Sequence, residues 1–198
     1  MHPEAAADRV GPNTIIQTAT ALHELVGGNA ERSIFGAAGL THYLDHPPGA
    51  MVREGEAARL FGAILMNLDR SQSREVLAGA GKRTGRYILT HRIPQAAKTL
   101  ISALPQGLGM RLLLTAIGKH SWTFAGTGQV TIERGWNPAL TIARNPLATP
   151  GCPWHVATLE ELFQSLVSPA LKVHHTSCCA MGAGSCRFEI DTADRSRR

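Results

Sequence analysis

Apolar residues in the first two-thirds of the chain recur every three or four positions, the spacing of an amphipathic helix. This pattern predicts helices near residues 15–26, 30–44, 54–68 and 71–91. Asn13 or Thr14 is placed to cap the first helix and Asp69 the fourth, while a glycine pair and a proline pair separate the first three segments. Residues 14–118 are therefore predicted to form a helical part.

Three glycines interrupt the predicted helix at 71–91. Gly79, Gly81 and Gly85 lie within its apolar stripe, where glycine costs about 1 kcal/mol relative to alanine. A helix face lined with glycines has no side chains to cover the backbone, so another backbone or a flat ligand can come unusually close. We therefore expect a tight contact along this face.

From residue 119 onward the apolar pattern changes to a period of two. Short β-branched or aromatic runs at 121–125, 129–134 and 140–143 predict an antiparallel meander, and runs at 171–177 and 185–191 predict a hairpin. Between them, 158–168 has a clean apolar helical stripe, with Thr158 and Glu161 as a capping box. Helices followed by antiparallel strands indicate an α+β fold, in which N-terminal helices and an antiparallel sheet pack together.

Length and composition favour one domain. The 198 residues are 43% hydrophobic and 18% charged, which is typical of a compact globular protein. We expect a flexible N-terminus at 1–13, a single domain at 14–191 with its sheet-containing core at 119–191, and a disordered basic tail at 192–198.

The charge pattern and the apolar segments limit the classes of partner. The net charge is +5, but the basic residues are scattered and are not interleaved with aromatics, which argues against nucleic-acid binding. The N-terminal segment lacks the apolar core of a secretory signal, and the apolar run at 110–117 is broken by Arg111 and too short to span a membrane. We expect a cytoplasmic protein that touches a membrane surface through that run.

Four residues near the C-terminus form a candidate metal site. A hairpin between Cys178 and Cys186 would bring their sulfurs together, His175 could join them if its strand bulges, and Cys152 could complete the set. Three thiolates and one imidazole suit a closed, structural, tetrahedral zinc site. The alternative from the residues alone is that Cys152 and Cys179 are small buried apolar side chains.

The C-terminal motif resembles the 4-vinyl reductase domain. The resemblance rests on Cys178-x3-Gly182-x3-Cys186-x-Phe188, preceded by Cys152-Pro-Trp154. It implies a zinc held by Cys152, Cys178 and Cys186, with His175 standing where the family has an acidic ligand.

Further segments extend this resemblance over about 14–190, to the bacteriochlorophyll 4-vinyl reductase family. They are Phe35-Gly-Ala-Ala-Gly-Leu, Ala80-Gly-Lys-Arg-Thr-Gly-Arg-Tyr-Ile-Leu, Arg92-Ile-Pro, Leu104-Pro and His120-Ser-Trp-Thr-Phe-Ala-Gly-Thr-Gly. The family resemblance implies bacteriochlorophyll biosynthesis, a place beside the photosynthetic membrane, partner enzymes of that pathway and a homodimer formed by the N-terminal helices.

Reduction of a vinyl group needs an electron donor, and the sequence shows no dinucleotide fingerprint: Gly79-Ala-Gly-Lys-Arg-Thr-Gly85 has the wrong last spacing. We therefore expect a protein that binds and delivers a magnesium porphyrin or protochlorophyllide. An 8-vinyl reductase served by an external reductant is the alternative, so the prediction leaves open whether the chain is an enzyme. A small-ligand sensor or adaptor is a second alternative.

A macrocycle pocket needs apolar walls, an axial magnesium ligand and a group for the carboxylate. Phe124, Trp122 and Trp154 are the wall candidates, with an ordinary core role as the alternative. The pocket and the metal hairpin are expected to be separate parts of the fold. Candidate magnesium ligands are His120, His155, His91 and His42, and Arg92 or Arg86 could pair with a propionate.

Overall fold

The structure is a computed structural model that describes residues 8–135 and 137–191, with only the backbone of residue 122. The predicted tail at 192–198 and the first seven residues lie outside this described part. In chain order the helices are α1 (Asn13–Val26), α2 (Gly28–Ala37), α3 (His42–Asp45), α4 (Glu54–Asn67), α5 (Arg70–His91), α6 (Gln95–Ala103), α7 (Gln106–Lys119), α8 (Trp122–Ala125) and α9 (Pro153–Leu166). The strands are β1 (Arg9–Val10), β2 (Val52–Arg53), β3 (Gln129–Glu133), β4 (Ala139–Ala143), β5 (Lys172–Ser177) and β6 (Ser185–Asp191).

Strands β3 to β6 form one antiparallel sheet in the order β3-β4-β6-β5. In the register, Ile142 of β4 lies opposite Cys186 of β6, and Phe188 of β6 lies opposite His175 of β5. The pairing of β5 with β6 is irregular between His175 and Ser177, which is the bulge that the sequence required to bring His175 toward the cysteines. The α+β class and the antiparallel hairpin are thus confirmed.

Two apolar cores fill the molecule. One lies among α1, α2, α4 and α5, and includes Phe35 and Phe61; the other lies between the sheet and helices α7 and α9, and includes Phe163 and Phe188. Helix α9 contributes to both, because Trp154 belongs to the first core and Leu159 to the second. This helix therefore connects the helical part to the sheet.

The glycine face of α5 is where α9 crosses it. A Cβ at Gly81 would overlap the backbone carbonyl of Trp154, and a Cβ at Gly85 would lie 2.8 Å from Cβ of Glu161. Thr158 strengthens the crossing by donating a hydrogen bond to the carbonyl of Gly81 (3.0 Å). The expected close approach of another backbone is confirmed, and α9 supplies that backbone.

One predicted element type and one predicted helix start are wrong. Residues 121–125 form a helical turn, not a strand: the amide of Ala125 donates to the carbonyl of Ser121 (2.8 Å) and that of Gly11 to the carbonyl of Thr123 (2.7 Å). Helix α9 begins at Pro153, so Thr158 and Glu161 are interior residues and not a capping box. Proline at the first position loses no helical hydrogen bond and sets the backbone for the helix, which places the start five residues earlier.

The boundaries of the helical part also differ from the prediction. The single helix expected at 30–44 is divided into α2 and α3, since Gly39 takes a left-handed backbone conformation (φ 69°) between them. Residues 9–10, expected to be flexible, pair with β2, and the side chain of Val10 is fully buried. Asp69 caps α5 as predicted, accepting a hydrogen bond from the amide of Gln72 (2.8 Å), whereas α1 begins at Asn13 without a side-chain cap.

Among the described residues, no helix combines the length and the apolar character that crossing a membrane requires.

Candidate metal centre and adjoining cavity

Cys152, His175, Cys178 and Cys186 lie together in the structure. One potential ligand atom from each falls within 4.8 Å of all the others. The Cys152 sulfur is 3.5 Å from that of Cys186 and 3.9 Å from that of Cys178. Zinc–sulfur bonds of about 2.3 Å in a tetrahedron place two sulfurs about 3.8 Å apart, so the spacing fits a zinc ion.

The chain brings these four side chains together by three local devices. Cys152 precedes α9 in a left-handed conformation (φ 43°), which is uncommon outside glycine and turns the chain into the helix. Cys178 follows β5, and a 3-10 turn with Gly182 at φ 89° returns the chain to Cys186 in β6. The bulge in β5 then admits His175.

Two thiols of the cluster have pKa values shifted in opposite directions. A hydrogen bond from the thiol of Cys152, assisted by the amide of Cys179 (3.3 Å), lowers the pKa of Cys186 to about 4. The same thiol–thiolate contact, together with burial, raises the pKa of Cys152. Nε2 of His175 is buried without a hydrogen-bond partner in the described part of the chain. An unpartnered buried imidazole nitrogen beside a thiolate is the environment that a metal would satisfy.

Cys179 lies outside this cluster. Its sulfur, half-buried, is 4.0 Å from the carbonyl of Ile142. The alternative of a small buried apolar side chain thus describes Cys179 better than Cys152, which lies inside the cluster.

A cavity of about 360 Å³ lies beside the metal cluster, between α5, α7 and α9. Five of the six residues predicted as a ligand site line it: Arg92, His120, Phe124, Trp154 and His155. The sixth, Trp122, has its side chain outside the described part of the structure. Most of the remaining wall is apolar, including Ile88, Leu113, Ile117, Leu140, Leu159 and Leu162.

The cavity is closed at one end and open at the other. Trp154 and His155 are buried, whereas Arg92 and His120 are the exposed members of its lining. Arg92 therefore offers a positive charge at the mouth. The other two histidines considered as magnesium ligands, His91 and His42, are exposed and do not line the cavity.

His155 is the unusual group in this wall. Neither ring nitrogen makes a well-aligned hydrogen bond among the described residues, the Phe124 backbone being close enough only to influence the pKa, although the side chain is almost completely buried. Desolvation lowers the pKa of His155 to about 4, outweighing the opposing influence of the Cys186 thiolate and the Phe124 backbone, so the imidazole is neutral at physiological pH. A neutral, unpartnered imidazole facing a cavity has a lone pair free to bind an electrophile or a metal.

An aromatic stack connects the cavity to the metal cluster. The ring of Phe188 lies 5.6 Å from His155 on one side and 5.0 Å from His175 on the other, both nearly parallel. Cys152 also precedes His155 by only three residues. The pocket and the metal site, expected to be separate parts of the fold, share no lining residue among those described, but they are adjacent because Cys152 directly precedes α9, which carries His155.

Several lining residues were not anticipated from the sequence. Thr84, Tyr87 and Ile88 of α5 line the cavity, as do Gly11 from the segment before α1 and Asn13 at the start of α1. The apolar stripe of α5 was visible in the sequence, but that its last turns face a void could not be inferred. The contact between the N-terminal segment and α8 has no signal in the local pattern.

Comparisons with known proteins place the metal cluster in a named domain. Residues 141–192 match the model of the 4-vinyl reductase domain. The whole chain is similar to the bacteriochlorophyll synthase 23 kDa chain of Cereibacter sphaeroides, with 42% identity over 94% of this chain and 92% of the relative. The protein of the same name from Rhodobacter capsulatus is 36% identical over 95% of this chain and 89% of that one.

Among solved structures, the chain shows a distant likeness to an H-NOX protein from S. oneidensis, crystallised in its Fe(II)NO ligation state. The two share 12% identity and a TM-score of 0.45 over 92% of this chain and 98% of the other.

Proposed function

This chain belongs to the family of the bacteriochlorophyll synthase 23 kDa chains, and from that membership we propose that it binds a magnesium porphyrin intermediate of bacteriochlorophyll biosynthesis and delivers it to a partner enzyme. The observation that carries the proposal is His155, a buried neutral imidazole without a partner in the wall of an apolar cavity.

The cavity has the features that a flat, apolar ligand with a charged group at its edge requires. Its volume of about 360 Å³ lies in the range of small-molecule sites, roughly 300–1,000 Å³, and its walls are mainly aliphatic and aromatic. Because this volume is toward the lower end, the macrocycle would enter with one edge left at the mouth. Arg92, exposed there, is placed to pair with a carboxylate of the pigment.

His155 would serve as the axial ligand of the magnesium. The ion of a magnesium porphyrin accepts an additional ligand from outside the ring plane, and a neutral imidazole supplies one. Burial keeps His155 unprotonated, lowering its pKa, and the Phe188 ring stacked on it holds the orientation of the imidazole. Trp154, edge-on to His155 at 5.0 Å, would contact the macrocycle.

Zinc would be held by Cys152, His175, Cys178 and Cys186 as a structural ion. All four ligands come from the protein, which closes the coordination shell. Its role would be to tie the start of α9 to the β5–β6 hairpin, so that the cavity wall has a fixed position.

The relatives are named as chains of a bacteriochlorophyll synthase, which supports a place for this protein beside the pathway's enzymes. A binding chain needs no reductant site of its own, since the chemistry belongs to the partner. Reduction of the vinyl group by this chain, served by an external donor, is the competing function.

Titration with magnesium protoporphyrin and with metal-free protoporphyrin tests the binding proposal. The wild type should bind both, with a red-shifted Soret band only for the magnesium form. His155→Ala should weaken the magnesium form by at least about tenfold and leave the metal-free form nearly unchanged, because only the former uses the imidazole. His42→Ala, at an exposed histidine remote from the cavity lining, is the matched control. Equal loss for both porphyrins would contradict axial ligation.

Anaerobic incubation of the pure protein with divinyl protochlorophyllide and NADPH separates binding from catalysis. We expect a bound-pigment spectrum without conversion to the monovinyl product. Product formation by the pure protein would establish the reductase alternative.

A further inference from the structure

Helices α6 and α7 form a hairpin that turns leucine side chains toward solvent. Leu100 is 55% exposed, Leu108 51% and Leu112 38%. Exposed aliphatic side chains grouped on one helical hairpin form an apolar patch of the kind that marks interaction surfaces. Three exposed leucines on one hairpin indicate that another molecule covers this surface.

The outer face of α7 alternates these leucines with basic residues. Leu108, Arg111, Thr115 and Lys119 follow one another at intervals of three or four, and Leu112 lies four residues after Leu108, so the five share one side of the helix. The opposite side contains Met110, Leu113, Leu114 and Ile117, which are buried in the core. Helix α7 is thus apolar on its inner face and both apolar and cationic on its outer face.

The charge around this hairpin has a single sign. Between Glu75 and Glu133 the sequence contains no aspartate or glutamate, and it contains seven basic residues: Lys82, Arg83, Arg86, Arg92, Lys98, Arg111 and Lys119. Within the described part of the chain, Arg83 pairs with Glu24 and Arg86 with Glu161, but Arg92, Arg111 and Lys119 have no acidic partner. The cations nearest the exposed leucines are therefore not neutralised by the protein.

We infer that the α6–α7 hairpin is a docking surface for an anionic lipid membrane. Leucines that enter the acyl boundary together with arginine and lysine that face the headgroups are the combination that holds an interfacial helix. A second copy of this chain fits the surface poorly, because the facing hairpins would bring like charges together.

Close backbone packing and side-chain hydrogen bonds hold the hairpin in a fixed conformation. A Cβ on Gly109 of α7 would lie 3.0 Å from the carbonyl of Ile101 in α6, so the two helices touch through their backbones. On the inner side, Ser102 donates to the carbonyl of Leu166 (3.3 Å) and Lys98 to that of Leu89 (3.1 Å). The leucines are thereby presented by a fixed scaffold.

The same hairpin stands beside the mouth of the cavity. Helix α7 borders the cavity with Leu113 and Ile117, and His120 at its end is one of the two exposed lining residues. If the proposed function holds, an apolar pigment would then pass between cavity and membrane without crossing water. The docking itself does not depend on the pigment.

Flotation with pigment-free vesicles tests the docking surface. The protein should float with vesicles of phosphatidylcholine containing about a third phosphatidylglycerol, and should remain in solution with pure phosphatidylcholine. Raising the salt from about 0.1 M to 1 M should release it, since the screening length falls from about 10 Å to 3 Å. Equal binding to both vesicle types would overturn the inference.

Matched variants locate the surface. Leu108→Gln with Leu112→Gln should lower partitioning by at least about tenfold, and Arg111→Gln with Lys119→Gln by about fivefold for each charge removed. Leu25→Gln with Met66→Gln, at sites 45% and 78% exposed elsewhere, and Arg70→Gln with Arg74→Gln are the controls and should bind normally. All four pairs lie on the surface, so circular dichroism and melting should be unchanged.

Loss of binding in the control pairs to the same degree, or a change of oligomeric state without any change in lipid binding on substituting Leu108 and Leu112, would overturn the inference. Because pigment is absent throughout, this result is independent of whether the cavity takes a porphyrin.

Discussion

Among single residues, Cys152 carries the greatest local constraint. It adopts a left-handed backbone conformation that side chains other than glycine disfavour by roughly 1–2 kcal/mol, immediately before a proline that begins α9. Its sulfur lies within 4 Å of two other cysteine sulfurs. A metal that binds those sulfurs would offset the backbone strain, which links the conformation of one residue to the metal.

Freshly purified protein should contain close to one zinc per chain, and Cys186→Ala should remove it. Zinc binding of a closed site contributes directly to folding, so this variant should lose more than about 3 kcal/mol of stability. Metal analysis and denaturant unfolding measure the two effects. Cys179→Ala is the control, because its sulfur is not in the cluster and its loss should leave the zinc content unchanged. Zinc-free wild-type protein, purified without chelator, would refute the prediction.

The pH dependence of stability should report the burial of His155. Burial lowers its pKa to about 4 in the folded state, while the unfolded value is about 6.5. Between these values the unfolded chain binds more protons, so stability should fall as the pH is lowered from about 6.5 to 4, by up to about 3 kcal/mol. The stability of the His155→Leu variant should lack this fall between pH about 6.5 and 4. An unchanged profile in the variant would show that other groups are responsible.

Among the elements, the crossing of α5 and α9 decides where the cavity lies. Gly81 and Gly85 let the backbone of α9 approach α5 closely, and the last turns of α5 then line the cavity together with α9. The close approach of another element to α5 was predictable, because three glycines within one apolar stripe indicate a tight contact. The identity of the partner helix was not predictable, since a local pattern does not specify which element packs against the glycine face of α5.

Gly81→Ala should destabilise the protein by more than about 2 kcal/mol, because its methyl group would overlap the Trp154 carbonyl and force the helices apart. Gly62→Ala is the matched control: it is also interior to a helix, but nothing lies within 4 Å of a Cβ there. That substitution should be neutral or stabilise by up to about 1 kcal/mol. Thermal unfolding of both variants gives the comparison, and equal effects would contradict the close crossing.

Strands and caps show where sequence reasoning succeeds and fails. The hairpin of β5 and β6 followed from alternation and a glycine turn, and the grouping of the four candidate metal ligands from their residue types and spacing. Residues 121–125 also alternate, yet they form α8, because their amides bond within the turn and the Thr123 carbonyl accepts a hydrogen bond from the amide of Gly11. The Thr158 hydroxyl likewise bonds the Trp154 carbonyl (2.8 Å) inside a helix that Pro153 had already begun. A tertiary contact outweighed the local pattern at α8, whereas at α9 the proline at the first helical position set an earlier start.

For the whole molecule, the two cores and the two candidate sites share one helix. Helix α9 directly follows the candidate metal ligand Cys152, lines the cavity with five residues and packs into both cores. A change at the metal should therefore reach the cavity, although no residue of the metal cluster lines it.

Removing metal with a strong chelator should lower the melting temperature and also weaken porphyrin binding. The reason is that Cys152 fixes the start of the helix that carries Trp154 and His155, and that Phe188 stacks between His155 and the ligand His175. Porphyrin titration before and after chelation, at a temperature where circular dichroism shows a folded chain, measures the coupling. Readdition of zinc should restore affinity. Unchanged affinity in folded, metal-free protein would show that the two sites are independent.

The three-residue interval from Cys152 to His155 also sets the direction in which the imidazole points from the helix. Along an α-helix each residue turns the chain by about 100° and advances it by about 1.5 Å. Inserting one residue after Pro153 would leave the thiol in the cluster but rotate the imidazole off the cavity, and no substitution elsewhere in α9 could turn it back. In this protein, length variation between these two positions is therefore more damaging than the loss of either neighbouring side chain.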